Sequence, residues 1–375
     1  MTFGERLAAG PFVRVPPRRR NIQVPVPSRR AALAGLALYA PCRLRTLVAH
    51  HAGWALVGVL GPRVLPSSRG SWQPPMAADC WETICDGWRS ELGDFDAVAV
   101  YERPQASRSG VSALLLTNGR PLAFVKLRQE SSRLQLSERV LSGLAIAPSR
   151  HFHSPAPLAA GSAGDWEWLA LSPMPLYPHR PAHAPPMARI VEDLQDRLAP
   201  VLDGQGVPPH WRPMHGDLTP WNLRRVGPWA LWLLDWEEVG WGPPGADDVY
   251  YAATASVLLG SRPRAQPEDA EAIRFWRSRV GSRPSGDFDR VLNDALVGIL
   301  ATMAGPDGAD GGAAYEEGPA RDSTASSSRS PADTGSNVAS TWRRAAPPMR
   351  DRRSGSSSSD STAETNPRSS SGGTR

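Results

Sequence analysis

Lysine is almost absent from this chain. Of its 42 basic side chains, 41 are Arg and one is Lys126. The sequence is otherwise rich in Ala, Pro, Gly and Arg, a bias that turns Lys into Arg wherever either will serve. The survivor marks a position that asks for a compact ammonium rather than a planar fork, with chance survival as the alternative. Cysteine is nearly as scarce. Cys42, Cys80 and Cys85 are too few and too scattered for a disulfide framework. Cys80 and Cys85 lack the two-residue spacing of a zinc knuckle and no second pair exists, so free thiols in a reducing compartment are expected. No apolar run reaches the roughly 18–20 residues of a spanning helix. The closest, Thr46 to Gly61, is interrupted by His50 and His51. Prolines stand where a signal peptide would have its apolar stretch. The expectation is a soluble, cytoplasmic protein with no transmembrane segment.

Acid is missing where base is dense. Residues 1–70 carry eleven Arg and one acid, a local balance of +10. Residues 71–95 sum to −4, 96–303 to −1 and 304–375 to 0, so the net +5 belongs to an N-terminal arm. The near-neutral body argues against a nucleic-acid-binding core, which needs a basic face against phosphates. For the arm, weak contact with an anionic surface such as a membrane or polyphosphate stands beside a plain solvated arm.

Three regions emerge: a basic, partly helical region at 1–95, a body at 96–303 and a low-complexity tail at 304–375. Residues 1–30 are Pro- and Arg-rich without periodicity and read as an irregular arm. In 77–92, Trp81, Ile84, Cys85, Trp88 and Leu92 fall on one helical face. From Ala97 the pattern is of strands: 97–103, 111–117, the hairpin signal Asn118-Gly119, then 121–127 carrying Lys126. A helix is predicted over 132–145, with Glu138 near its middle. Strands at 157–160 and 166–171 follow, joined at Gly164-Asp165. A Pro-rich link leads to an amphipathic helix near 186–201. This order is an antiparallel sheet followed by an α-rich half, an α+β arrangement. The tail is Ser-, Gly-, Asp- and Arg-rich with almost no aliphatic residues, so disorder is expected there.

The chemistry lies in Met214-His215-Gly216-Asp217-Leu218-Thr219-Pro220-Trp221-Asn222 and, thirteen residues on, Asp235-Trp236-Glu237. Phosphoryl transfer needs a carboxylate to orient the acceptor hydroxyl and take its proton. Phosphate-bound Mg²⁺ needs hard oxygens, for which a carboxylate and a carboxamide suffice, with water completing the octahedron. A lysine held by an acid neutralises the phosphate oxygens. Lys126, Glu138, Asp217, Asn222 and Asp235 supply these parts in order. Asp217 and Asn222, five apart, share one short loop, and Asp235 ends the apolar run from Ala230 to Leu234 after a turn at Gly227-Pro228.

These motifs resemble those of the aminoglycoside phosphotransferase and choline kinase family. The resemblance covers roughly residues 96–303. It implies a bilobal protein-kinase-like fold, with a small antiparallel sheet in the N-lobe and a mainly helical C-lobe. It implies ATP and Mg²⁺ as cofactors, Asp217 as catalytic base, and Asn222 and Asp235 as metal ligands. Lys126 and Glu138 would form the ATP-clamping ion pair, and the loop from Gln105 ending in Ser109 and Gly110 would lie over the phosphates. Backbone groups between Ala170 and Met174, including Ala170 and Ser172, would meet adenine, although Pro173 removes one donor. Asp248 would brace the catalytic loop. The implied acceptor is a small hydroxylated molecule: a sugar, an amino alcohol or an aminoglycoside-like compound.

Plainer roles stand beside these. Asp217 could cap a turn before Pro220, His215 could be a structural hydrogen-bonding residue, and Trp221 and Trp236 could be packing. Glu268, Asp269 and Glu271 look like a cation site, but a helix N-terminus complementing its dipole explains them. A nucleotide-binding pseudokinase acting as a scaffold is the competing function. A protein kinase is disfavoured, because Asp-Trp-Glu stands where Asp-Phe-Gly would and no activation segment follows.

Overall fold

The computed structural model describes residues 1–15, 21–65, 69–102, 110–129, 132–175, 179–261, 269–281 and 287–303. Ser109, Glu268 and the tail 304–375 lie outside them.

The chain opens with α1 (Phe3–Ala9), capped by a reciprocal pair between Thr2 and Glu5. Next come β1 (Phe12–Val15), β2 (Ile22–Pro25), α2 (Arg29–Leu36), α3 (Leu44–Leu60), β3 (Arg69–Gly70) and α4 (Ala78–Leu92). The body continues with β4 (Ala97–Glu102), β5 (Gly110–Thr117), β6 (Arg120–Arg128), α5 (Ser132–Ile146), β7 (Pro157–Ala163) and β8 (Trp166–Leu171). The hairpin between β5 and β6 turns at Asn118 and Gly119, both at positive φ, as a tight two-residue turn requires.

These strands form one antiparallel sheet in the order β3-β1-β2-β4-β5-β6-β8-β7. The expectation of an irregular arm over residues 1–30 is therefore corrected. Phe12–Val15 and Ile22–Pro25 are strands, and β2 pairs with β4, Ile22 opposite Tyr101 and Gln23 opposite Val100. The burial of Ile22 and Val24 under α2 is the physical reason: two apolar tetrapeptides complete a sheet face that would otherwise be open.

Alternation along each strand divides the sheet into two faces. Val98, Val100, Ala113, Leu115, Val125 and Leu127 face α4, against Trp81, Ile84 and Trp88. Ala97, Ala99, Leu114, Leu116 and Phe124 face α2, α5 and the second half of the molecule. Lys126 and Arg128 follow Phe124 at two-residue steps, so β6 carries both cations onto this second face.

The second half contains β9 (His179–Pro181), α6 (Met187–Leu198), β10 (Arg212–Met214), β11 (Leu223–Val226), β12 (Ala230–Leu233) and β13 (Gly240–Gly242). It ends with α7 (Ala246–Leu259), α8 (Ala270–Gly281) and α9 (Asp287–Met303). Small sheets β12-β11-β9 and β10-β13 bracket the motif segments. The last three helices share a core in which Tyr250 stacks on Trp276 with ring centroids 4.0 Å apart. The architecture is α+β, a strand-rich lobe followed by a mainly helical one, as the sequence implied. Glu271 lies in the first turn of α8 and pairs with His210.

Candidate active site

The motif loop begins where β10 ends. Gly216 has φ +74°, and a Cβ built there would lie 2.0 Å from the Glu238 carbonyl oxygen, so only glycine fits. The loop is clamped by one carboxylate: Asp247 accepts the His215 N–H at 2.7 Å and the Gly216 N–H at 3.1 Å. Burial pushes the Asp247 carboxyl up to about 7, against the pull of these two amides. The expected brace, Asp248, is thereby corrected. Asp247 and Asp248 open α7 side by side, but the helical turn aims Asp247 at the loop, and burial with Asp269 nearby raises Asp248 to about 6.

The His215 ring is fully buried, packs edge-on against Trp236 at 4.8 Å, and its Nδ1 accepts the Asp217 N–H at 3.2 Å. Desolvation lowers its pKa to about 4, so it is a neutral structural residue.

Asp217 and Asn222 meet, as their spacing predicts. Asn222 Nδ2 donates to the Asp217 carbonyl and to its Oδ2, both at 2.9 Å. Asn222 is buried, and its Oδ1 has no hydrogen-bond partner among the described residues. Asp235 is brought alongside because the Leu234 N–H donates to the Asn222 carbonyl at 3.1 Å. Asp235 itself sits at φ +63°, ψ +72°, a left-handed conformation costing about 1–3 kcal/mol for a non-glycine residue. Such strain persists only where the surroundings impose it.

What imposes it is a buried ionic quartet. Lys126 Nζ donates to Asp235 Oδ1 at 2.5 Å and to Glu237 Oε1 at 2.8 Å, and Arg128 Nη2 donates to the same Glu237 oxygen at 2.8 Å. Two cations and two carboxylates balance, which is what lets all four stay out of water. The predicted partner of Lys126, Glu138, is not part of it. Asp235 and Glu237 occupy the ammonium, while Glu138 on α5 lines a separate hollow of about 330 Å³ with Gly161, Ser162, Glu167 and Leu169. No role was read from the sequence for Arg128 or Glu237. Their signal was present: each lies two residues beyond a motif residue of its own charge, and the two are opposite in charge to each other.

Gly110 opens β5, where a Cβ would meet Arg128 Cδ and Nη1 and the Leu127 carbonyl, each at 2.8 Å. Its visible task is to make room for Arg128. The residues expected to meet adenine, Ala170 and Ser172, lie at the end of β8 and just beyond it. Ala170 lies inside β8 between Val125 of β6 and Ala159 of β7. Ser172 gives its N–H to the Ala156 carbonyl and accepts the Ala156 N–H on its hydroxyl, both at 2.7 Å. The next backbone donor along the link, beyond Pro173, is the Met174 N–H.

No family model matches the sequence, and no curated protein matches it. The likeness that is found is to solved structures of small-molecule kinases. A choline kinase from Streptococcus pneumoniae covers 59% of this chain and 99% of its own at 13% identity, with a TM-score of 0.38. An aminoglycoside-3'-phosphotransferase of type VIII covers 56% and 98% at 16% identity, with a TM-score of 0.34. The aminoglycoside phosphotransferase APH(4)-Ia covers 60% and 90% at 10% identity, with a TM-score of 0.35.

Among the described residues, no group of three or more His, Cys, Asp or Glu could hold a metal ion. An all-protein cage is thus not built here. The donor set fits a cation that brings its other oxygens with it: one carboxylate at Asp235 and the unpartnered carboxamide oxygen of Asn222.

Proposed function

We propose that the chain is an ATP-dependent phosphotransferase acting on a hydroxyl of a small molecule. The observation that carries this reading is Asn222: its amide nitrogen holds Asp217, while its buried side-chain oxygen has no hydrogen-bond partner among the described residues. A buried acceptor left unmade costs about 1–3 kcal/mol, so it is kept for a ligand. Asp217 is the base: it orients the acceptor hydroxyl and takes its proton, and Asn222 and His215 hold it in place. Asn222 and Asp235 would hold Mg²⁺, which when bound neutralises the phosphate oxygens. Lys126 turns from Asp235 towards the phosphates, Glu237 keeping it in place from behind. Gly110 would border the phosphates, and the Met174 N–H is the backbone donor offered to adenine.

The acceptor class is a sugar, an amino alcohol or an aminoglycoside-like compound. An ATP-consumption assay against such a panel tests the proposal. Asp217→Asn is expected to keep nucleotide affinity and to lose about 10²–10⁴ in turnover. Full turnover in that variant with an identified acceptor would remove Asp217 from its role.

One observation favours a second reading, a nucleotide-binding scaffold without turnover. Lys126 and Asp235 neutralise each other at 2.5 Å, so the site is electrostatically satisfied without phosphate. ATP binding with no turnover across the whole panel is the result that would select it.

A further inference from the structure

The outer face of α3 is apolar and uncovered. Leu44, Val48, Leu56, Val59 and Leu60 are each 50–75% exposed, and Val57 is the one buried residue of this helix. At 100° per residue these five fall within one half of the helix, along a line of about 24 Å. Exposed Ala52 and Ala55 fill the space between them. On the other side His50 packs edge-on against Tyr39 and Trp54 packs on the core, while Arg45 alone interrupts the stripe, in its first turn. A surface helix usually turns a polar side outward, and α3 does not.

The segment that carries this stripe has charge of one sign. Arg43 and Arg45 stand at its start and Arg63 just past its end, all exposed. Arg29 donates to the Gly58 carbonyl at 3.2 Å, which places a further guanidinium beside the last turn. No acid occurs between Glu5 and Asp79, while eleven Arg do.

The occupant must therefore supply hydrocarbon and anions together. The chain's own tail does not: residues 304–375 hold one Val and no Leu or Ile, too little to cover a 24 Å stripe. A second copy does not either. A two-fold pairing of α3 with itself would set Arg43, Arg45 and Arg63 against the same cations of the other copy. A lipid surface supplies both. Crossing it is excluded, because no helix among the described residues is long and apolar enough.

We propose that α3 is an interfacial membrane helix. It lies in the plane of an anionic bilayer, with Leu44, Val48, Leu56, Val59 and Leu60 at the acyl boundary and Arg43, Arg45 and Arg63 on headgroup phosphates. None of these residues belongs to the site of Asp217, so the inference stands apart from the phosphotransferase reading.

Sedimentation of the full chain with two sets of vesicles tests it, one of phosphatidylcholine alone and one of phosphatidylcholine with an equal part of phosphatidylglycerol. The chain is expected to partition into the anionic vesicles roughly ten-fold or more over the neutral ones. Val48→Asp with Leu56→Asp should abolish that partition at an unchanged melting temperature, since both side chains are exposed. Arg43→Glu with Arg45→Glu should weaken it and remove the preference for phosphatidylglycerol. The proposal is overturned if the parent chain stays in the supernatant with both vesicles, or if the double Asp variant binds as the parent does. It is equally overturned if the parent is a dimer that this variant renders monomeric while neither binds vesicles.

Discussion

At neutral pH the His215 ring is uncharged, because burial holds its pKa near 4 while Asp235 pulls the other way. In the unfolded chain the same ring titrates near 6.5. The unfolded state therefore binds more protons between these values, and stability falls as pH drops through 6.5 towards 4. The loss amounts to about 3 kcal/mol for one group. Denaturant titrations of the parent and of His215→Phe, which keeps the contact with Trp236, should show the parent's advantage shrinking by that amount between pH 7 and pH 4. A constant difference across this range would mean that the ring is charged in the folded state. Asp247 is the second residue with a measurable signature. Asp247→Asn leaves one acceptor for two amides, so a cost of about 1–3 kcal/mol and a marked loss of turnover are expected. Asp248→Asn, whose carboxylate touches neither amide, should lose little of either. Equal losses in the two variants, read by thermal melts and ATP consumption, would undo the assignment of Asp247 as the brace.

Among elements, β6 and the turn after β12 are joined through charge rather than through a shared ladder. Lys126, Arg128, Asp235 and Glu237 are nearly sealed from solvent, with side-chain exposures of 3–9%. Removing one member of such a set leaves a buried charge unmatched, at about 3–5 kcal/mol. Glu237→Gln should cost that much in a denaturant titration, and Lys126→Arg should also destabilise, because a planar fork cannot replace a point charge between two carboxylates. An unchanged midpoint in Glu237→Gln would show that water already screens the quartet. The same element shows why sequence alone carried the reading only so far. Strands β4 to β8 were legible because most are apolar runs of six or more residues and Asn118-Gly119 punctuates them. That Asp217 and Asn222 meet on one loop was legible because they stand five residues apart. Glu237 in place of Glu138, and Asp247 in place of Asp248, were not, because which carboxylate reaches a given cation or amide depends on packing between segments about a hundred and about thirty residues apart. Strands β1 and β2 were missed for a related reason. Four residues each, they gain their meaning from a partner strand far along the chain.

Across the whole molecule, the N-terminal region does more than precede the body. Besides covering the edge of β4, it closes over the second half: the buried Arg224 guanidinium donates to the Pro41 carbonyl at 3.4 Å and to Cys42 Sγ at 3.6 Å. Deleting residues 1–95 should thus expose a long sheet edge and strand a buried cation, and the remainder is expected to be insoluble. Deleting residues 304–375, which lack the aliphatic side chains of a core, should leave the melting temperature and nucleotide binding unchanged. A soluble, ATP-binding fragment beginning at Asp96 would contradict the first expectation, and a tail deletion that fails to fold would contradict the second.

The pairing of β2 with β4 also bears on biosynthesis. Ile22 leaves the ribosome almost eighty residues before its partner Tyr101, whereas β4 meets β5 across a short connection. The β1–β2 hairpin can form as soon as it is made, but it joins the sheet only when β4 arrives, so this edge closes across a long connection. During that interval a basic, apolar stretch without acids is exposed on the nascent chain, the kind of segment that chaperones hold and that lipid captures early. Pulse-labelling hydrogen exchange should find the amides of β5 and β6 protected before those of β1 and β2, and simultaneous protection would mean that the whole sheet forms in one step.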